Sequence, residues 1–156
     1  MAIYIKFDKF PGSSTDDKFK DQVEVNSFQF GAGIGVGSPR GGDRTSSEPS
    51  VSEITCSKQT DKSSEMLFKY LLLGENIGKA VISFTAASKG ESVAYASLEL
   101  SDVIISGFSM SSGGDIPSES ISLNFTKFDW SFTGRDATQS GSPTHLIYDL
   151  SKNKIG

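Results

Sequence analysis

Apolar and polar residues alternate with a period of two near the start of this chain. Ile3, Ile5 and Phe7 share one face, whereas Tyr4 and Lys6 belong to the other. This alternation predicts a β-strand that buries one of its faces. Runs rich in Val, Ile, Phe, Ser and Thr predict further strands at 50–60, 79–87, 92–106 and 144–150. The pattern therefore predicts a mainly β fold.

Two predicted strands change the parity of their apolar residues part-way along. The first contains Val23, Val25, Phe28 and Phe30. The second contains Ile121, Leu123, Phe125, Phe128, Trp130 and Phe132. A strand switches its apolar face only at a bulge or where it passes from one sheet into another. Two such strands predict a barrel or a sandwich whose strands turn corners, with these apolar side chains in its core.

One segment has the spacing of a helix. Its recurring apolar residues are Met66, Leu67, Tyr70 and Leu71. The motif before them, which offers N-cap oxygens, is Asp61, Lys62, Ser63 and Ser64. Gly74 is placed to end the helix as a left-handed cap. The sequence thus predicts one short helix of about three turns.

The size and charge of the chain limit its class and its partners. With 156 residues it has the usual length of one domain, and we expect a single domain over 1–156. Its net charge is −4 at pH 7, whereas nucleic-acid binders usually carry a basic surplus. No apolar run approaches the roughly 20 residues of a membrane span. We therefore expect neither nucleic acid nor a membrane as a partner.

Residues 1–10 do not have the pattern of a signal peptide. They contain no basic region followed by a long apolar run, and no small-residue cleavage site. We therefore expect a protein made in the cytoplasm, whose export would use a route without a cleaved signal peptide.

The residues available for chemistry are few, because the chain has one cysteine and one histidine. Cys56 continues the apolar parity of Ile54, so we expect a buried thiol rather than a nucleophile paired with His145. The glycines of 31–37 fit no nucleotide-binding fingerprint, and no G-x-S-x-G elbow is present. We predict no catalytic residue, no metal site and no cofactor, and hence a structural or binding protein rather than an enzyme.

Two short motifs and the order of the segments carry a family resemblance. The first motif is K-x-x-D-K-S-S at 58–64, where the predicted helix begins, and the second is S-L-N-F-x-K at 122–127. Together with the opening strand and the Phe-Gln-Phe-Gly segment at 28–31, they resemble the Hcp family over about residues 1–133. This family contains the haemolysin-coregulated tube proteins of bacterial type VI secretion systems. Glu65 departs from the family, since many members carry Pro there.

The resemblance implies a bent two-sheet β-barrel with one short α-helix. It also implies that six copies form a ring and that rings stack into a tube inside a contractile sheath. Such a tube carries the spike protein, is expelled from a Gram-negative cell without a cleaved signal peptide, and can hold small effectors in its lumen. Residues 133–156 form a C-terminal tail that matches the family less closely.

A long segment at 31–49, with six glycines and two prolines, corresponds to the family loop that reaches from one ring toward the next. Loops longer than about 12–15 residues are usually functional or disordered. We expect this loop to set ring stacking through charge pairs. The residues expected to take part are Ser38, Arg40, Asp43, Arg44 and Glu48.

Two alternatives stay open from the residues. One is a phage-type tail-tube subunit, which shares the architecture. The other is a monomeric β-sandwich that binds carbohydrate or peptide, with Trp130 and the phenylalanines lining its site. Aromatic residues on one parity of a strand usually belong to the core, so we expect Trp130 to be buried.

Overall fold

The computed structural model describes residues 1–37, 47–134 and 143–156, which form thirteen strands and one helix. In chain order these are β1 (Ile3–Phe7), β2 (Val23–Val25), β3 (Ser27–Gln29), β4 (Ala32–Gly33), β5 (Ser50–Val51), β6 (Ile54–Gln59), α1 (Ser64–Leu73), β7 (Ala80–Ser88), β8 (Glu91–Ser101), β9 (Ile104–Ser111), β10 (Ser118–Asn124), β11 (Lys127–Phe132), β12 (Thr144–Asp149) and β13 (Lys154–Ile155). The predicted mainly β fold with one short helix is confirmed.

Two sheets of unequal size build the fold. Sheet A has seven strands in the order β13-β12-β11-β8-β7-β1-β2, and sheet B has four in the order β3-β6-β10-β9. Neighbouring strands are antiparallel throughout both sheets. A separate two-stranded arm, β4–β5, continues from β3. Because sheet A has more strands, sheet B covers only part of its inner face.

Both changes of parity are corners between the sheets. The chain leaves sheet A after β2 and enters sheet B at β3, and Asn26 at this corner donates its N–H to the carbonyl of Ser57 at 2.7 Å. The second corner lies at Phe125 and Thr126, where β10 of sheet B ends and β11 of sheet A begins. The predicted corner-turning strands are thereby confirmed.

The core lies between the two sheets and under α1. Its fully buried apolar side chains are Ile5, Ile54, Leu67, Ile77, Ala80, Ile82, Leu100, Val103, Ile121 and Leu123. Strands β2, β6 and β10 bury every second residue, so the parity read in their sequence is also the parity of burial. The described residues contain no helix long and apolar enough to cross a membrane.

The predicted strand at 92–106 is wrong in its extent. The chain instead forms β8 and β9, separated by a turn at Asp102 and Val103. Asp102 adopts a left-handed conformation with φ of 54°. Its carboxylate accepts hydrogen bonds from Asn76 at 3.1 Å and from Thr126 at 2.9 Å. These bonds stabilise a turn inside an otherwise strand-like run, because Asp is among the few residues that tolerate this backbone region.

Both ends of α1 show how the sequence sets its limits. At the start, the Asp61 carboxylate accepts a hydrogen bond from the Ser63 N–H at 2.8 Å and another from the Ser63 hydroxyl. Asp61 therefore caps the turn that leads into α1. Ser63 occupies the N-cap position, but its hydroxyl donates to Asp61 and not to the helix backbone. At the end, Gly74 has φ of 64° and its N–H bonds the carbonyl of Tyr70 at 2.9 Å. The predicted left-handed glycine cap is confirmed.

Candidate interaction surfaces

A buried charge cluster lies where α1 meets sheet B. The Lys58 ammonium is completely buried and donates to Glu119 Oε1 at 2.8 Å and to Ser64 Oγ at 3.0 Å. It also lies 3.1 Å from Asp61 Oδ1. The second oxygen of Glu119 accepts from the Thr60 hydroxyl at 2.7 Å. This charge cluster joins β6, β10 and the first turn of α1.

The strand register explains why these charges meet. Lys58 on β6 is the direct cross-strand partner of Glu119 on β10. Lys58 continues the buried parity of Ile54 and Cys56, and Glu119 precedes Ile121 on the buried face of its own strand. Sequence reasoning missed both residues as a buried pair, although the parity signal was present. Buried ions are tolerated only when they are paired, as these two are.

The predicted helix-start motif thus divides into separate roles. Asp61 and Ser64 belong to the charge cluster. Ser63 is buried and bonds Asp61, whereas the exposed Lys62 ammonium lies 3.4 Å from Asp21 Oδ1. The motif therefore holds α1 against sheet B rather than forming a binding site.

The predicted ring-stacking residues fall mostly outside the described residues. This holds for Ser38, Arg40, Asp43 and Arg44. Glu48 is described and is exposed, two residues before β5. The arm beside it pairs Gly33 with Ser50, and the two apolar residues beyond β4, Ile34 and Val36, are about half exposed.

An apolar groove opens on the inner face of sheet A, beside the β3 edge of sheet B. It has a volume of about 550 Å³. Its lining residues are Phe28, Phe30, Gly31, Ala32, Val51, Phe84, Tyr95, Ala96, Leu98, Phe128, Trp130, Phe132 and Leu146. None of these carries a charge. We call this surface the groove.

The expectation that the aromatic residues of β11 are buried is wrong for two of the three. Phe128 is buried, but Trp130 is 51% exposed and Phe132 is 47% exposed. All three share one parity, and therefore one face, of β11. Phe128 is covered by two rings that lie just beyond the strands of sheet B: the centroid of Phe30 is 5.3 Å away and that of Phe125 is 6.2 Å away. Strand parity predicted the face correctly but not how far the opposing sheet extends.

A second apolar surface lies on α1, at the opposite edge of sheet B. Leu67 points into the core, whereas Phe68, Leu72 and Leu73 are exposed. Phe68 and Leu72 are one helical turn apart, so they share a face of α1. The Phe68 ring lies 5.1 Å from that of Phe108 on β9, the edge strand against which α1 packs. We call Phe68, Leu72 and Leu73 the ridge.

The two residues tested for nucleophilic chemistry stand in different surroundings. Cys56 is buried in sheet B, and burial raises the pKa of its thiol to about 12. The exposed His145 places Nδ1 2.8 Å from Asp129 Oδ1 on the neighbouring strand. The buried thiol predicted for Cys56 is confirmed. Among the described residues, no group of three or more His, Cys, Asp or Glu side chains is arranged to hold a metal ion.

The chain matches one protein family over most of its length. The model of the type VI secretion system effector family, Hcp, matches residues 4–132. The chain belongs to the Hcp family. The match covers sheet B, α1, the charge cluster and sheet A up to Phe132 on β11, and it leaves out β12, β13 and the groove residue Leu146. A search of curated proteins gives no match.

Solved structures support the same assignment. A type six secretion system protein matches with a TM-score of 0.90 at 27% identity, with 99% of each chain covered. Hcp1 from Salmonella typhimurium matches with a TM-score of 0.81 at 25% identity over 99% of this chain and 98% of that chain. A type VI secretion system effector from Yersinia pestis has a TM-score of 0.76 at 25% identity, covering 94% and 98%. The chain is therefore a type VI secretion system Hcp protein.

Proposed function

We propose that this Hcp protein is a structural subunit of the type VI secretion inner tube, acting as a single domain over 1–156. Six copies form a ring, rings stack into a tube inside the contractile sheath, and the tube is expelled with the spike protein. Small effectors travel in its lumen. The protein acts without catalysis and is secreted with the tube.

The observation that carries this proposal is the pair of open edges of sheet B. Among the described residues, β3 and β9 are the edge strands of this sheet. An edge strand presents N–H and C=O groups that can pair with another chain. Joining β9 of one copy to β3 of the next extends sheet B from subunit to subunit. A closed ring uses this kind of heterologous contact, in which two different surfaces of the same chain meet.

Light scattering and negative-stain electron microscopy of the purified chain test the ring. We expect six-fold rings with six times the 16.7 kDa mass of one chain. A strict monomer across the micromolar range would contradict the ring and would favour a binding module.

We also propose that the loop of Ser38, Arg40, Asp43, Arg44 and Glu48 orients one ring on the next. Deletion of 38–46 is expected to leave rings intact and to abolish tubes in electron micrographs. Unimpaired tubes would contradict this role.

Substitutions that leave the loop length unchanged test the contribution of charge separately from that of loop length. Replacing Arg40, Asp43 and Arg44 with Ser is expected to shorten tubes if charge pairs between rings set the stacking. The matched control is removal of an exposed ion pair on sheet A, Lys79 and Glu99, which lie 3.1 Å apart. We expect this control to stack normally.

The groove favours one second candidate, a monomeric module that binds carbohydrate or peptide. Its 550 Å³ volume and aromatic lining are typical of a small-ligand site. The family match and the open edges of sheet B favour the tube subunit. The match to the type VI secretion family likewise favours this role over a phage-type tail-tube subunit.

A further inference from the structure

We propose that a polar pocket beside the end of β1 binds a small sugar phosphate, at a site separate from the groove. The pocket lies between β1 and the segment 8–22, which connects β1 to β2. Its volume of about 510 Å³ is within the range of small-ligand sites. Four lysines line it, and we call it the lysine pocket. They are Lys6, Lys9, Lys18 and Lys20.

The segment 8–22 is held in one conformation by contacts of its own. The Gly12 N–H donates to the carbonyl of Asp21 at 2.7 Å, and the Asp16 carboxylate accepts from the Phe19 N–H at 3.3 Å. The Phe19 ring stacks on Tyr4 of β1 with centroids 4.8 Å apart. These contacts fix the wall opposite β1 before a ligand arrives, so binding loses less free energy in ordering the site.

Two charged residues of the lysine pocket have partners outside it. The Lys18 ammonium lies 2.8 Å from Glu91, and the Asp21 carboxylate lies 3.4 Å from the Lys62 ammonium. Within the part of the chain that the structure describes, the other three lysines have no ion pair. Three ammonium groups therefore converge on this pocket without a carboxylate in contact, although the whole chain has a net charge of −4.

The wall also contains an unused acceptor. Gln22 lines the pocket, and its Oε1 is buried without a hydrogen-bond partner among the described residues. Most buried polar side-chain atoms in proteins have a partner, so this oxygen indicates a donor from outside the chain. A ligand hydroxyl can supply that donor.

A ligand that suits the lysine pocket carries both an anionic group and hydroxyls. Ammonium groups only donate, whereas Gln22 Oε1 and the carboxylates of Asp8 and Asp17 accept. A phosphate monoester carries about −1.5 to −2 charges at pH 7 and accepts strongly from ammonium groups. The two aromatic rings of the pocket, Phe7 and Phe10, are each 5% exposed and offer little surface for stacking a nucleobase. A sugar phosphate therefore fits better than a nucleotide.

Isothermal titration calorimetry of the full chain tests the site with glucose 6-phosphate, glucose and inorganic phosphate as probes. We expect glucose 6-phosphate to bind most tightly, because only this probe offers a phosphate to the lysines and a hydroxyl to Gln22. Its affinity should fall as the salt concentration rises, since exposed charges are screened by salt.

Substitutions separate the two parts of the site. Lys6→Gln and Lys20→Gln, one from each wall, should each weaken glucose 6-phosphate and inorganic phosphate alike by about fivefold, the effect of one charge contact in water. Gln22→Met removes the acceptor and should weaken glucose 6-phosphate by about 2- to 12-fold without changing the affinity for phosphate. The matched control is Lys127→Gln, an exposed lysine on β11, which β8 and β7 separate from β1. This control should bind as the wild type does.

Several outcomes would overturn the proposal. Equal affinities for glucose 6-phosphate and inorganic phosphate, or an unchanged affinity in Gln22→Met, would leave only general anion binding. Tighter binding of adenosine monophosphate than of glucose 6-phosphate would identify a nucleotide site instead. An equal loss in Lys127→Gln would show unspecific attraction, and no binding of glucose 6-phosphate would exclude the site. If Gln22→Met fails to fold by circular dichroism, Gln22→Leu takes its place. Light scattering of the same variants reports ring formation separately, so failure of this site leaves the tube subunit untouched.

Discussion

The two edges of sheet B differ in what packs beside them. At the β9 edge, α1 closes the core with the buried Leu67, and the charge cluster of Lys58, Asp61 and Glu119 holds the start of α1 in place. At the β3 edge, no helix is packed in the described structure, and the inner face of sheet A remains open as the groove. The α1 edge therefore stabilises one chain, whereas the groove at the β3 edge is available to a second chain.

The two edges also differ in how much a substitution should affect the folded monomer. Side chains at the α1 edge contact the core, so their loss is expected to lower the free energy of unfolding. Trp130, Phe132 and the side chains of the ridge are about half exposed or more, so their loss should change the free energy of unfolding little.

Removing one member of the charge cluster should have the largest effect on stability. Glu119→Leu leaves the buried Lys58 ammonium without its closest carboxylate, and we expect a loss of about 3–5 kcal/mol in denaturant unfolding. The double variant Lys58→Met, Glu119→Leu removes both charges and should be more stable than Glu119→Leu. Glu99→Leu, in the exposed pair with Lys79, is the control and should change stability by about 1 kcal/mol or less. Additive losses in the double variant would contradict a coupled buried pair.

The same substitution on two faces of α1 should give unequal effects. Leu67 is fully buried, so Leu67→Ala should cost about 2–5 kcal/mol in urea unfolding. Leu72 is mostly exposed, and Leu72→Ala should stay within about 0.5 kcal/mol when the measurement is made on monomers. Equal losses at both positions would mean that the ridge belongs to the monomer core.

The reactivity of Cys56 tests whether the open groove gives access to the core. Cys56 is the register partner of Phe28, which lines the groove, yet it is buried and its thiol pKa is raised to about 12. At pH 8 its thiolate fraction is about a thousandfold below that of an ordinary cysteine, so alkylation of the native chain should be slower by at least that factor. Mass spectrometry of the native and the urea-unfolded chain gives both rates. Similar rates would show that the groove opens into the core.

Substitution of Asp102, in the turn near the α1 edge, is expected to have the smallest effect on stability. Hydrogen bonds from Asn76 and Thr126 hold the pKa of its carboxyl below the ordinary value. A lowered pKa in the folded state stabilises the fold above the unfolded pKa, and this contribution is lost as pH falls through the folded pKa. Asp102→Asn should therefore be less stable than wild type near pH 7 and should approach it near pH 2. A constant difference across this range would contradict the assignment.

Parity along the strands allowed much of the fold to be predicted. The switches between Val25 and Phe28 and between Phe125 and Phe128 predicted the two corners, because a side chain on a strand can change face only where the strand bends or changes sheet. The glycine that ends α1 was predicted for an equally local reason, its left-handed backbone. The turn at Asp102 was missed because hydrogen bonds from Asn76 and Thr126, distant in sequence, stabilise it.

The candidate surfaces were predicted less completely. Lys58 and Glu119 carried a local signal, since both occupy buried parity, but only the register of β6 on β10 makes them partners. Trp130 and Phe132 were assigned to the correct face of β11, but they were expected to be buried and are about half exposed. Whether an inward face is covered depends on the number of strands in the opposing sheet, which is not a property of β11 itself.

Local sequence patterns suffice to place most of the strands, the apolar face of each and the end of α1, because these depend on neighbouring residues and on backbone sterics. The tertiary structure alone decided which apolar faces are covered and which buried charges are paired. Both depend on contacts between segments far apart in the chain. Seven strands stand opposite four, and this inequality leaves predicted core residues exposed in the groove.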